Sequence, residues 1–200
     1  LYLDHAVTSW PKPPAVEAEM SRFLREVGAN PGRSGHHLSV EAARIVYAAR
    51  ETVAELFGVS DPMRVVFGAN LTEGLNLALH GLLRSGDHVV TSSLEHNSMM
   101  RPLRTLETNG VSVTTVPCSP RAELDPADLE AAIRPETRLI ALVHASNVCG
   151  TLLPIREAAR IARDHDLLLL VDTAQTAGAI PINMEGDGID LMAFTGHKSL

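Results

Sequence analysis

Cysteine is scarce: only Cys118 and Cys149 occur, in unrelated contexts and in no Cys-x-x-Cys pair. That argues against a zinc ribbon or a disulfide framework and fits a reducing compartment. The nine histidines never fall into His-Glu-x-x-His or a comparable spacing, so no metal site is expected. Basic runs are missing too. The 17 Lys and Arg are scattered through a chain of net charge -7, which as a whole repels nucleic acid and anionic membrane. Aliphatic runs such as residues 167–171 are far too short to span a bilayer, and no signal-peptide pattern is present. The expectation is a cytoplasmic protein with no nucleic-acid or membrane partner. The chain opens on Leu1 rather than Met and stops two residues after Lys198, so it is expected to be a fragment of a longer protein.

What is present is an ordinary globular composition, 45% hydrophobic and 20% charged, in a length that suits one domain or slightly more. Residues 1–60 read as a helical segment. Pro13 and Pro14 open a helix over 15–27 that Gly28 stops, residues 30–35 form a turn-rich loop, and Ser39 caps a long helix that runs to Phe57 and closes at Gly58. From 61 to 200 the rhythm alternates. Strands are predicted at 64–67, 88–92, 112–116, 139–143, 167–171 and 191–194, with helices at 72–83, 97–109, 126–133 and 155–166 between them. Continuous aliphatic strands suit a sheet covered on both faces, hence a mostly parallel α/β layer. In open sheets of this kind ligands sit beyond the carboxyl ends of the strands, which is where candidate site residues are sought.

Five strand ends carry them. The turn from Gly68 to Gly74 offers small residues, a helix N-terminus and the Thr72 hydroxyl to an anion, although taken alone it is an ordinary capped turn. It is neither the dinucleotide fingerprint nor a Walker loop. The strand at 88–92 leads to Glu95-His96-Asn97, where His96 could stack on a flat ring or move protons. The strand at 139–143 leads to Asn147. The remaining two matter most. Asp172 directly follows five aliphatic residues, a costly place for a carboxylate unless it is paired or functional, and Thr195-Gly196-His197-Lys198 follows the last strand. A strand-end lysine beside a strand-end aspartate is what pyridoxal 5′-phosphate (PLP) chemistry needs. The amine forms a Schiff base with the aldehyde, and the carboxylate keeps the pyridine nitrogen protonated. Thr195, His197 and the Thr72 turn are placed to hold the phosphate.

The combination resembles the class V aminotransferases within the fold type I PLP enzymes, most closely the cysteine desulfurase and selenocysteine lyase branch. The likeness runs through Tyr2-Leu3-Asp4-His5-Ala6, Asn30-Pro31-Gly32-Arg33-Ser34-Gly35-His36, Thr72-Glu73-Gly74-Leu75-Asn76, Glu95-His96-Asn97-Ser98, Ser146-Asn147-Val148-x-Gly150, Val171-Asp172-x-Ala174-Gln175 and Thr195-Gly196-His197-Lys198. It implies the large domain of that fold over 61–200. It further implies that Lys198 carries the cofactor and moves the substrate α-proton, that Asp172 pairs with the ring nitrogen, and that Gln175 bonds the phenolic oxygen. By the same resemblance His96 stacks over the ring, Asn147 contacts the ring or the substrate carboxylate, and Thr72, Thr195 and His197 bind phosphate. His5 departs from the family, which usually has Asn there.

The resemblance also implies L-cysteine as substrate, a homodimer and a sulfur-acceptor protein. The family's nucleophilic cysteine and carboxylate-gripping arginine lie downstream of the lysine, as does a further strand. Cys118 and Cys149 are accordingly read as structural, and these 200 residues alone are expected to bind PLP poorly and to turn over nothing. Selenocysteine lyase, amino-acid epimerase and aminotransferase chemistry remain open on the same scaffold. So do a non-catalytic nucleotide-binding module and a PLP scaffold that has lost catalysis.

Overall fold

The computed structural model describes every residue of the chain except Ser34, which belongs to the second family motif and so lies outside the described residues. By its internal contacts the chain divides into two compact units, Leu1–Phe67 and Gly68–Leu200.

The first unit is helical. Helix α1, Pro14–Arg22, starts at the two prolines and runs straight into a π-helical turn, Phe23–Val27. The residues predicted as one uniform helix therefore change winding. Gly28, in the left-handed region at φ 49°, sends its N–H to the Phe23 carbonyl five residues back. Helix α2 covers His37–Leu56. Its cap is His36, whose Nδ1 accepts from the Ser39 N–H, and not Ser39, whose hydroxyl donates instead to the Asn30 carbonyl at 2.9 Å. A 3-10 turn, Pro62–Arg64, follows, capped by Asp61. The strand expected at 64–67 is not formed. Val65 and the residues after it are extended, but they join no ladder among the described residues, and Val66 and Phe67 are largely exposed. Sequence pattern reports extended, apolar backbone; a strand also needs a neighbour to accept its hydrogen bonds.

The second unit is a five-stranded parallel sheet. Its strands are β1 (His88–Ser92), β2 (Ser112–Val116), β3 (Thr137–Val143), β4 (Leu168–Asp172) and β5 (Leu191–Ala193), in the spatial order β2-β1-β3-β4-β5. The central strands β1, β3 and β4 are buried almost throughout, as continuous aliphatic runs require, whereas the edge strand β2 (Ser-Val-Thr-Thr-Val) buries only Val116.

Helices α3 (Leu71–Leu82), α4 (Asn97–Thr108), α5 (Pro126–Ala131) and α6 (Ile155–Asp164) connect the strands, with a short helix α7 (Met184–Asp187) that was not predicted. Helix α6 buries Ile155, Ala158, Ala159, Ile161 and Ala162, one stripe at helical spacing. One core gathers Leu71, Leu75 and Leu79 of α3, Met99 and Leu103 of α4, and Val89, Leu139 and Leu170 of the sheet. Each such side chain contributes about 1.5–3 kcal/mol on leaving water. Among the described residues no helix is long and apolar enough to cross a membrane.

The chain leaves β1 toward β2 on one side, and β3 then lies on the other side of β1. That reversal opens a crevice at the carboxyl ends of β1 and β3. Backbone pairing between them stops at Thr91 and Ala141, while β3 and β4 stay paired as far as Val143 and Asp172.

Candidate active site

Asp172 ends β4 and is 1% exposed. Its backbone is held from both sides, by the His144 N–H on its carbonyl and by the Thr173 N–H on the Ala193 carbonyl of β5. Its Oδ1 accepts from the Ala174 N–H at 2.9 Å, and Oδ2 lies 3.5 Å from the Ser98 hydroxyl. Burial raises the carboxyl above its ordinary range, opposed by the Ala174 N–H, by the charges of His96 and Lys198, and by Ser98. Lys198, half-buried beyond β5, is shifted down by burial and held up by Asp172. The two groups, 26 positions apart in the chain, thus act on one another at neighbouring strand ends.

His96 caps α4. Its Nδ1 accepts from the Ser98 N–H at 3.1 Å, so the neutral ring carries its proton on Nε2, and the ring is open to solvent. Asn147 is exposed in the tight turn after β3 that closes through Gly150 N–H to the Ser146 carbonyl, with Gly150 at φ 73°. Gln175 is half-buried three residues beyond Asp172, and Thr195 and His197 flank the turn before Lys198. Thr72 lies in the first turn of α3, exposed; the cap is Asn70, whose Oδ1 accepts from the Glu73 N–H while Glu73 reaches back to the Ala69 N–H. With capping done by Asn70 and Glu73, the Thr72 hydroxyl is left at a helix N-terminus, next to the sheet edge that α3 packs against at β5. The Tyr2–Ala6 and Asn30–His36 motifs lie in the first unit.

Three residues of this region escaped sequence reading. Ser98 is buried between His96 and Asp172. Gly178, at φ 82°, packs under the segment carrying Lys198, and a β-carbon there would come within 2.4 Å of the Ser199 carbonyl oxygen. The third is Glu95, half-buried, with its Oε2 out of reach of solvent. Ser98 and Glu95 both stand in a quoted motif, with polar side chains that could have flagged them. Gly178 had no local signal. One expectation is corrected: Cys149 is not a packed structural residue but an exposed thiol in the Asn147 turn, lowered to about 7 by hydrogen bonds with Ser146 and Thr151. Cys118 is half-buried.

The donor set is specific. A buried carboxylate, a partly buried amine and an exposed imidazole converge where the strands end, beside a helix N-terminus with a spare hydroxyl. Such a set fits a flat, cationic ring that carries an aldehyde and a phosphate. The family model described as Aminotransferase class-V matches residues 1–200. The chain belongs to the class V aminotransferase family. This family uses PLP, and the site residues fit that cofactor.

Among curated class V relatives, the chain is 36% identical over 202 residues to cysteine desulfurase IscS of Dictyoglomus turgidum, covering 99% of this chain and 50% of that protein. It is 38% identical over 199 residues to a probable cysteine desulfurase of Methanothermobacter thermautotrophicus, covering 99% and 49%. Among solved structures, SspA in complex with cysteine superposes with a TM-score of 0.92 at 30% identity, over 98% of this chain and 57% of that one. The apo structure of cysteine desulfurase from Thermococcus onnurineus NA1 gives 0.91 at 33%, over 100% and 50%. The chain therefore spans about half the length of the curated relatives it matches.

Proposed function

We propose that this chain supplies the cofactor-holding half of a PLP-dependent cysteine desulfurase, which takes sulfur from L-cysteine and leaves alanine. The observation that carries the reading is that Lys198 and Asp172, a carboxylate only 1% exposed, act on one another electrostatically at adjacent strand ends. Relatives named cysteine desulfurase and a neighbouring structure holding cysteine support the choice of substrate.

When bound, PLP supplies an electron sink for the bond broken at the substrate α-carbon. The chain's own residues do the rest. Asp172, whose carboxyl is pushed up by burial and drawn back by the Ala174 N–H, His96 and Lys198, would hold a proton at the ring nitrogen. Lys198 is the covalent anchor. Burial lowers its amine, which makes Nζ a readier nucleophile and a readier base for the α-proton. His96, exposed at the start of α4, would stack on the ring. Gln175 would donate to the phenolic oxygen, Asn147 would orient the ring or the substrate carboxylate, and Thr72, Thr195 and His197 would hold the phosphate. The thiol that accepts sulfur and the arginine that grips the carboxylate are assigned to neither Cys118 nor Cys149 nor any arginine of this chain. A second subunit and a sulfur-acceptor protein complete the reading.

The test is borohydride reduction of the full-length protein with PLP, followed by peptide mass mapping. The expected result is a pyridoxyl mass on the peptide containing Lys198, no such mass in Lys198→Ala, and release of alanine from L-cysteine by the wild type alone. Colour and alanine production retained in Lys198→Ala would sink the assignment.

A further inference from the structure

Glu95 follows β1 by three residues and turns its carboxyl inward across the crevice between β1 and β3. Its Oε1 accepts two hydrogen bonds, from the Ser92 hydroxyl at 2.6 Å and from the Val143 N–H at 3.0 Å. Ser92 is the last residue of β1 and Val143 the last of β3, and their backbones are no longer paired at this level. A side-chain carboxyl therefore takes over where the ladder ends. Its other oxygen, Oε2, is buried and has no hydrogen-bond partner among the described residues. The next residue is His96, and two further on Ser98 reaches toward Asp172.

We propose that Glu95 is a positioning residue of the cofactor site, its carboxyl tying the turn that carries His96 and Ser98 to the end of β3 and so aiming both at Asp172. The inference rests on the PLP reading of the site. The state of the carboxyl agrees with the geometry. Burial raises it to about 8, opposed by the Ser92 and Val143 bonds and aided by the negative charge of Asp172. At neutral pH Glu95 is then the uncharged acid. The groups that face it are few: Asp172 from the end of β4 is the charged group acting on it, β3 contributes the Val143 N–H, β1 contributes Ser92, and His96 on its own turn and Lys198 beyond β5 act on Asp172. Ionising Glu95 places a second buried negative charge beside Asp172 and pushes the turn outward, with His96 on it.

The experiment compares the full-length wild type with Glu95→Gln and Glu95→Ala. Glutamine keeps an acceptor for Ser92 and Val143 and cannot ionise. In the apoprotein at neutral pH, the wild type shows an infrared carbonyl band of a protonated carboxyl that disappears as pH rises through about 8; Glu95→Gln lacks that band. Titration with PLP gives an affinity within about threefold of wild type for Glu95→Gln at neutral pH and about tenfold or more weaker for Glu95→Ala. Above about pH 8 the wild type loses affinity that Glu95→Gln retains. A band that persists in Glu95→Gln, equal PLP affinity in Glu95→Ala, or identical alkaline loss in wild type and Glu95→Gln overturns the proposal. If Glu95→Ala does not fold, the comparison of wild type with Glu95→Gln decides alone. Failure of the wild type to take up PLP defeats the cofactor reading and this role together; uptake unaffected by Glu95 defeats this role only.

Discussion

At the amino ends of the strands, His88 is fully buried and both its ring nitrogens are satisfied, Nδ1 by the Thr137 hydroxyl and Nε2 by the Thr114 hydroxyl, each at 2.7 Å. Arg134 completes the cluster, with its backbone N–H on Thr137 and its guanidinium on Thr114. At the carboxyl ends of the same strands the accounting is different. Glu95 buries an oxygen with no partner among the described residues, Asp172 keeps only a 3.5 Å approach from Ser98 on one of its oxygens, and Lys198 is partly desolvated, held up by the charge of Asp172. Both ends bury groups that titrate. One end closes them into a hydrogen-bonded network that ties β2, β1 and β3 together; the other leaves carboxyls and an amine short of partners. Buried polar groups are normally satisfied, and departures concentrate where a ligand completes the set.

That contrast is open to attack from either end. The largest effect is expected at Lys198. In the full-length enzyme Lys198→Ala lowers alanine release from L-cysteine by about ten-thousandfold or more, because anchor and base are lost together, while unfolding in denaturant changes little. A large stability change would place Lys198 in the structural class with His88.

His88→Ala is the mirror case. Losing a buried ring and two hydrogen bonds costs about 2–4 kcal/mol in denaturant unfolding, yet turnover per folded molecule stays unchanged. The pH sign follows from burial, which lowers His88 below its ordinary 6.5. Its contribution is present in full above that value and is lost as pH falls toward the lower native value, since the unfolded chain then binds the proton more readily. Stability measured at about pH 7 and about pH 5 therefore falls more in wild type than in His88→Ala.

Gly178→Ala is expected to cost about 2 kcal/mol, from left-handed backbone and from the overlap with the Ser199 carbonyl. PLP affinity also weakens by about tenfold as the Lys198 segment is displaced. Loss of stability with unaltered affinity would separate Gly178 from the site.

The smallest effect is at Cys149. Its lowered, exposed thiol should take up iodoacetamide about tenfold faster than Cys118 near pH 7, as read by peptide mapping, with no change in unfolding. Equal rates would remove the special character of the Asn147 turn.

Much of this was legible in the chain itself. The aliphatic runs at 139–143 and 167–171 marked the strands that became β3 and β4, within a residue or two of their ends, because a strand covered on both faces must be apolar at every position. Asp172 stood out for the same reason, as a charge where burial was already implied. Other features left weaker traces. His36 took the capping role assigned to Ser39, and Asn70 caps the helix that opens at the Thr72 turn, since several nearby side chains can accept the same N–H and the backbone angles choose among them. The stretch at 64–67 has strand chemistry and no strand, because pairing is a property of two segments.

Sequence by itself determined the kinds of element in the second unit, their order, and the family to which the chain belongs, because periodicity and short motifs are local. Tertiary structure alone decided that Lys198 and Asp172 act on each other, that Glu95 spans the ends of β1 and β3, and that Gly178 lies under the lysine segment. Those facts depend on which strands become neighbours, and neighbours in space are set by the packing of the whole sheet rather than by any stretch of residues within it.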